Sequence, residues 1–148
     1  MSDYLFKLIP KDPQYIPNIN SQNDSRAFLK LIYDKNKILI KITDNIEFID
    51  CGENFEEIIC PNCNHLLDMG WWGQMMSLVY EKHFSEPYIE MPCCKQTCQI
   101  YDLQYKWDCG FAKFVIEILN PEEEPSCSQL TELEKIIGCE LKLIRAYY

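Results

Sequence analysis

Cys60-Pro61-Asn62-Cys63 is followed, twenty-nine residues after its last cysteine, by Pro92-Cys93-Cys94. The spacing Cys-x-x-Cys turns two thiolates toward one ion, and a proline inside it helps to set the turn. Two such clusters supply four thiolates, the number that a closed tetrahedral Zn2+ site requires. An all-sulfur set suits zinc and not magnesium or calcium, which take oxygen ligands. Any fold must then bring residues 60–63 and 92–94 together. Cys60, Cys63, Cys93 and Cys94 are the expected ligands. The second pair is irregular, because adjacent cysteines reach one ion only where the backbone kinks. Cys94 with Cys98, at i and i+4, is the rival pairing, although Thr97-Cys98-Gln99-Ile100 alternates like a strand with Cys98 and Ile100 on one face. His65 is a spare ligand. The expected role is structural, since a small segment commonly needs a staple.

The other cysteines argue for the compartment. There are nine in all, an odd number. The opening Met1–Lys7 has neither a basic leader nor a long apolar run, so no secretory signal is expected. A disulfide framework is disfavoured, and a reducing cytoplasm is the expected location. Cys51, Cys109, Cys127 and Cys139 fit no ligand spacing and read as packing or exposed thiols. A redox role for Cys60–Cys63 would need a helix opening directly after it. Instead Asn64-His65 and Asp68-Met69-Gly70 intervene before the helical pattern begins.

Charge and length exclude further classes. The 148 residues suit one domain, 1–148, and net charge is −9. Residues 51–108 hold nine acidic against three basic side chains, while residues 1–50 balance at seven each. Without a basic stripe, neither nucleic acid nor an anionic membrane surface is an expected partner. A basic protein partner suits the charge better. No apolar run approaches the roughly 20 residues of a membrane helix.

Hydrophobic periodicity outlines the rest. Tyr4–Ile9 reads as a strand. Ala27, Phe28, Leu31 and Ile32 are expected on the buried face of a helix capped by Ser21 or Asp24. Lys37–Thr43 alternates, with Ile38, Ile40 and Ile42 on one face. Asp44-Asn45 then makes either a hairpin turn or a bulge before Ile46–Ile49. Trp72, Met75, Met76, Val79 and His83 form a helical stripe that Pro87 ends, with His83 read as a core histidine. Tyr88–Met91 and Thr97–Tyr105 flank the second cysteine cluster as strands. Phe111–Leu119 is a strand with both faces covered. Ser126 with Gln129, or Thr131 with Glu134, has capping-box spacing for a helix that buries Leu130, Leu133, Ile136 and Ile137. Gly138 suits its left-handed stop, and Leu141–Tyr148 closes as a strand. This order predicts an α+β fold, a ferredoxin-like βαβ–βαβ arrangement interrupted at 51–108 by a zinc-ribbon-like, zinc-binding insertion.

No catalytic pattern emerges. The zinc-deaminase H-x-E with P-C-x-x-C, the H-E-x-x-H helix, the G-x-S-x-G elbow and a glycine-rich phosphate loop are all missing from the sequence. Cys94 with His65 or His83 could form a nucleophile pair, but nothing selects it. Trp71-Trp72 reads as core and as cover for the cysteine segment rather than as an exposed anchor. The expected function is a non-enzymatic protein-interaction or adaptor domain with a structural zinc, and the alternative is a small thiol- or metal-dependent enzyme.

Cys60-Pro61-Asn62-Cys63, Pro92-Cys93-Cys94, Tyr101-Asp102-Leu103, Gly110-Phe111-Ala112, Asn120-Pro121 and the closing Arg145-Ala146-Tyr147-Tyr148 resemble a group of small, uncharacterised bacterial proteins with a CPxC…PCC zinc-ribbon-like motif. The resemblance implies a bacterial origin and the ligand set Cys60, Cys63, Cys93 and Cys94. It implies no activity. Lys95 stands where such a turn commonly carries glycine.

Overall fold

The computed structural model describes residues 3–52 and 56–148. The chain runs β1 (Tyr4–Pro10), α1 (Ile19–Ile32), β2 (Ile38–Ile49), β3 (Ile58–Ile59), α2 (Met69–Tyr80), β4 (Tyr88–Glu90), β5 (Thr97–Gln99), a 3-10 turn (Ile100–Asp102), β6 (Gln104–Tyr105), β7 (Gly110–Leu119), α3 (Cys127–Ile137) and β8 (Leu141–Tyr147). It is an α+β protein. Four strands make one antiparallel sheet in the order β2-β7-β1-β8, and two small antiparallel pairs, β3-β6 and β4-β5, belong to the middle segment.

Alternation along β7 explains why the sheet has two covered faces. Phe114, Ile116 and Ile118 join Phe6 and Leu8 of β1 under α1 and α3, whose Leu29, Leu133 and Ile137 complete that core. The opposite parity, with Ile9, Phe111, Val115, Ile144 and Ala146, packs against the middle segment. An inner strand buried on both sides reads as a nearly continuous apolar run, as β7 does.

The open choice at Asp44-Asn45 resolves as a bulge within one long strand. Between the pairs Ile42↔Phe114 and Glu47↔Ala112, β2 places four residues, 43–46, against one, Lys113, on β7. The excess is odd, so the parity of β2 flips. Ile38 and Ile40 face the helices, whereas Ile46 and Phe48 face the middle segment. Ile42 is left 46% exposed beside the bulge.

Several expectations need correction. The helix α1 starts earlier than Ser21 or Asp24 would cap it: Asn18 accepts from the Ser21 backbone N–H, 2.8 Å. Its buried line is Ser25 and Leu29, while Ala27 and Leu31 face out, Leu31 at 85% exposure. Ser25 can be buried because its hydroxyl donates to the Ser21 carbonyl, 2.6 Å. In α3 the capping box is Ser126 with Gln129, not Thr131 with Glu134. Thr97–Tyr105 is not one strand, since the 3-10 turn divides it. The helix α2 stops at Tyr80, short of Pro87. His83 therefore lies outside it, exposed, in a left-handed conformation with φ 53°, and not in the core.

An aromatic cluster holds the middle segment to the sheet. The Phe111 ring of β7 meets Phe48, Phe84 and Tyr101 at centroid separations of 5.3, 5.3 and 4.9 Å. Trp72 lies edge-on to Trp107 and Tyr105, and its indole N–H donates to the Tyr105 hydroxyl, 3.1 Å. Trp71 is half-buried against the same cluster, so the tryptophan pair belongs to packing. Among the described residues, no helix is long and apolar enough to cross a membrane.

Candidate metal centre

Each cysteine cluster lies on a turn that follows a short strand. At the first turn the Cys60 N–H donates to the His65 carbonyl, 2.9 Å, and the Asn64 N–H donates to the Cys60 carbonyl, 3.0 Å. At the second, the Met91 N–H donates to the Gln96 carbonyl, 2.8 Å, and the Lys95 N–H to the Met91 carbonyl, 3.0 Å. Both turns place proline second and a left-handed residue fifth, Asn64 at φ 62° and Lys95 at φ 63°. They are the same turn, used twice.

This equivalence explains the irregular second pair. Cys63 and Cys94 hold corresponding fourth positions. The first position is Cys60 in one turn and Met91 in the other. Met91 is fully buried and packs in the core of the middle segment. The fourth thiol comes instead from Cys93, one residue past the proline. Lys95 takes the left-handed backbone that a glycine would adopt more cheaply, a strain of about 1–2 kcal/mol for a side chain with Cβ.

The four expected thiols converge. The sulfurs of Cys60, Cys63, Cys93 and Cys94 all lie within 4.8 Å of one another and could hold a metal ion. Cys60 and Cys94 are 3.8 Å apart, and Cys63 and Cys93 3.2 Å. Cys60 is buried at the base, Cys63 and Cys94 are half-buried, and Cys93 is exposed at the rim.

Cys98 is not in the set. Its sulfur accepts from the Asn62 side-chain amide, 3.0 Å, so it braces the first turn. Burial, then the neighbouring Cys60 and Cys94, raise its thiol above the ordinary range. His65 lies 3.1 Å from Cys63 through Nδ1, a partner of a ligand rather than of Cys94. His83 is turned toward Tyr80, 6.0 Å between rings.

Electrostatics at the cluster favour cation capture. Burial opposes ionisation of Cys60, but the backbone N–H groups of Cys63 and Asn62 and the thiols of Cys93 and Cys63 outweigh it, bringing it down to about 7. Cys93 is pushed up to about 12, first by desolvation and then by its hydrogen bonds to Cys63 and Cys60. One thiol therefore gives up its proton readily, and its neighbour then resists. A divalent cation removes that mutual penalty.

The remaining cysteines are apart from the cluster. Cys51 and Cys109 are buried, Cys139 half-buried and Cys127 exposed. Burial pushes Cys109 up to about 12, which keeps it a neutral thiol.

One charged group of contacts escaped the sequence reading. Lys7 and Glu117 stand opposite each other on β1 and β7, each 7% exposed, on the sheet face shared with the middle segment. The Lys7 ammonium donates to the Tyr148 hydroxyl, 2.6 Å, and to the Asp50 carbonyl, 3.0 Å, while Lys41 pairs with Glu117 at 2.7 Å. The signal was available: Lys7 sits inside Tyr4–Ile9, so alternation put it on the same face as Ile9.

Searches among known proteins returned no match to a family model, a curated protein or a solved structure.

Proposed function

We propose that this chain is a non-enzymatic protein-interaction or adaptor domain, held in shape by a structural Zn2+ on Cys60, Cys63, Cys93 and Cys94. The observation that carries the metal reading is the paired turn. Two copies of one backbone turn deliver four sulfurs to one point, and all-thiolate tetrahedra are the preference of zinc. A regular tetrahedron of sulfurs about 2.3 Å from zinc has edges of about 3.8 Å, which suits the Cys60–Cys94 separation. Four protein ligands leave no position for substrate or water, which favours structural over catalytic zinc.

The frame supports a ferredoxin-like reading. Four strands in the order β2-β7-β1-β8, with α1 and α3 sharing one face, fit a split βαβ repeated twice. On this reading 51–108 is a zinc-ribbon-like insertion between the halves, in a protein of the reducing cytoplasm. The resemblance to small bacterial proteins bears on origin and on the ligand set, and not on activity.

Elemental analysis with native mass spectrometry on protein grown with ample metal and reductant is the test. One zinc per chain is expected. Metal-free, fully folded protein overturns the zinc reading. Iodoacetamide labelling of the loaded protein should be slow for every cysteine of the cluster. One cysteine reacting fast at pH 6–7 would favour the thiol-enzyme reading instead.

A further inference from the structure

The helix α2 carries no charged side chain along its twelve residues, yet one flank of it is open to solvent. Trp72 and Val79 are buried. Met69, Gly73, Met76 and Tyr80, at i, i+4, i+7 and i+11, form a separate line along the helix. Met69 and Tyr80 are 37% and 54% exposed, and Met76 is half-buried. Gly73 leaves a gap at the middle, where a Cβ would meet nothing within 4 Å.

A hollow lies at each end of this line. Around Met76 and Tyr80, with Phe48 and Phe84, it has a volume of about 350 Å3. Phe84 is fixed there by two consecutive left-handed residues, His83 and Phe84, whose backbone folds back on α2 through the Phe84 N–H to the Val79 carbonyl, 3.0 Å. The other hollow, about 490 Å3, lies around Leu66 and Met69. The first is edged by Glu47, the second by Glu56, Glu57 and Asp68. No Lys or Arg lines either one among the described residues.

We infer that this groove docks a cationic amphipathic helical segment of another protein, an inference that rests on the interaction-domain reading above. Met69 and Tyr80 are about 16 Å apart along the axis, so three turns of a partner helix would seat one apolar anchor in each hollow. Carboxylates at both ends select Lys and Arg on the flanks of that helix. Met69 and Met76 supply an adaptable apolar floor. A second copy of this chain is a poor occupant, because either orientation would set carboxylates against carboxylates across the contact.

The probe is a peptide of about 14 residues built from Leu and Lys with one apolar helical face, and its control is the same peptide with Glu for Lys. The full chain is used after its zinc content has been measured, and binding is followed by calorimetry. Micromolar binding of the Lys peptide is expected, with the Glu peptide at least about 30-fold weaker. Met76→Ser with Tyr80→Ser should weaken the Lys peptide about tenfold while zinc content and circular dichroism stay unchanged. Glu47→Lys, at a half-buried position on the rim of the first hollow, should weaken it several-fold.

Absence of binding overturns the inference. So does binding that Glu47→Lys weakens but the Met76/Tyr80 change does not, which is charge attraction without a groove. A wild-type dimer that the Met76/Tyr80 change splits into monomers assigns the surface to a second copy and also overturns it. Each of these leaves one zinc per chain intact. A chain that never held zinc fails the earlier reading before any peptide is added.

Discussion

The four-stranded frame and the middle segment are folded by different means. The frame has strands of 7 to 12 residues and helices of 11 and 14, long enough for periodicity to place side chains on two faces. Among the described residues, the middle segment has strands of two or three residues, and its α-helix, α2, is uncharged and half-exposed. Strands that short contribute few ladder hydrogen bonds and cannot stand alone. What joins them is sulfur at one end and aromatic rings at the other. The frame is thus specified by repetition, and the middle segment by a few contacts that must all be made.

The difference predicts that the two regions can be unfolded separately. Removing the proposed zinc with a chelator, or Cys63→Ser, should have the largest effect, since apparent zinc binding in small zinc peptides is worth about 10–16 kcal/mol. Hydrogen exchange should lose protection across 58–107 while β1, β7 and β8 keep theirs. Equal loss in both regions would mean that the frame also depends on the ion. The paired turn sharpens this test. Cys93→Ser alone should lose the metal, whereas adding Met91→Cys should restore it, because Met91 stands where Cys60 stands in the first turn. Cobalt substitution reads the outcome through the tetrahedral thiolate spectrum.

The reverse experiment breaks the frame. Phe114 is fully buried between β7 and the helices. Phe114→Ala should cost about 3–5 kcal/mol, measured by urea unfolding. Here both regions should melt in one transition, since the middle segment has only the other face of the same sheet to pack on. A frame that unfolds while the middle segment persists would show the segment to be independent.

Legibility in the sequence follows the same division. The parity of β7 could be read because Phe114, Ile116 and Ile118 alternate without interruption. The Ser126–Gln129 box and the stop at Gly138, φ 94°, were local signals with a local cause. The convergence of Cys60, Cys63, Cys93 and Cys94 was legible because thiol chemistry admits few readings of such a cluster. What failed depended on partners far away in the chain. Leu31 suits a buried stripe by spacing, but the approach of α1 to the sheet buries Ser25 and Leu29 instead. The flip in β2 depends on four residues, 43–46, facing one on β7, which no pattern within β2 records. The likeness of the two turns lies in backbone hydrogen bonds, and the change from Cys60 to Met91 hides it.

The junction between the regions offers a smaller and more local effect. Gly52 has φ 89° and bridges to Tyr147 at the end of β8, where the Tyr147 N–H also donates to the Cys51 carbonyl, 3.0 Å. A Cβ there would lie 1.9 Å from the Tyr147 carbonyl oxygen, a backbone atom with no side-chain freedom. Gly52→Ala should cost about 2 kcal/mol or more, from the positive φ and the clash together. Exchange should quicken at the end of β8 and at Cys51 first. No change in stability would show that the chain leaves β2 by another path.

The smallest expected effect is acidic. Asp50 lies at the end of the frame's long strand, near the same junction. Burial pushes its carboxyl up, but the Tyr148 hydroxyl at 2.9 Å and the Lys7 ammonium outweigh this and hold it below the usual carboxylate value. A carboxyl with a depressed folded value stabilises the protein above its unfolded pKa, and that gain disappears as pH falls through the folded one. Its side chain is 40% exposed, so solvent screening limits the gain to about 0.5 kcal/mol. Asp50→Asn should therefore be slightly less stable than wild type at pH 7, and the gap should be narrower at about pH 3, below the ordinary Asp value, because the gain fades as pH falls toward the depressed folded value. Urea midpoints at the two pH values measure this. A gap that stays constant with pH would mean that Asp50 acts through shape alone, and that the Lys7–Tyr148 contact secures this end of the frame without its charge.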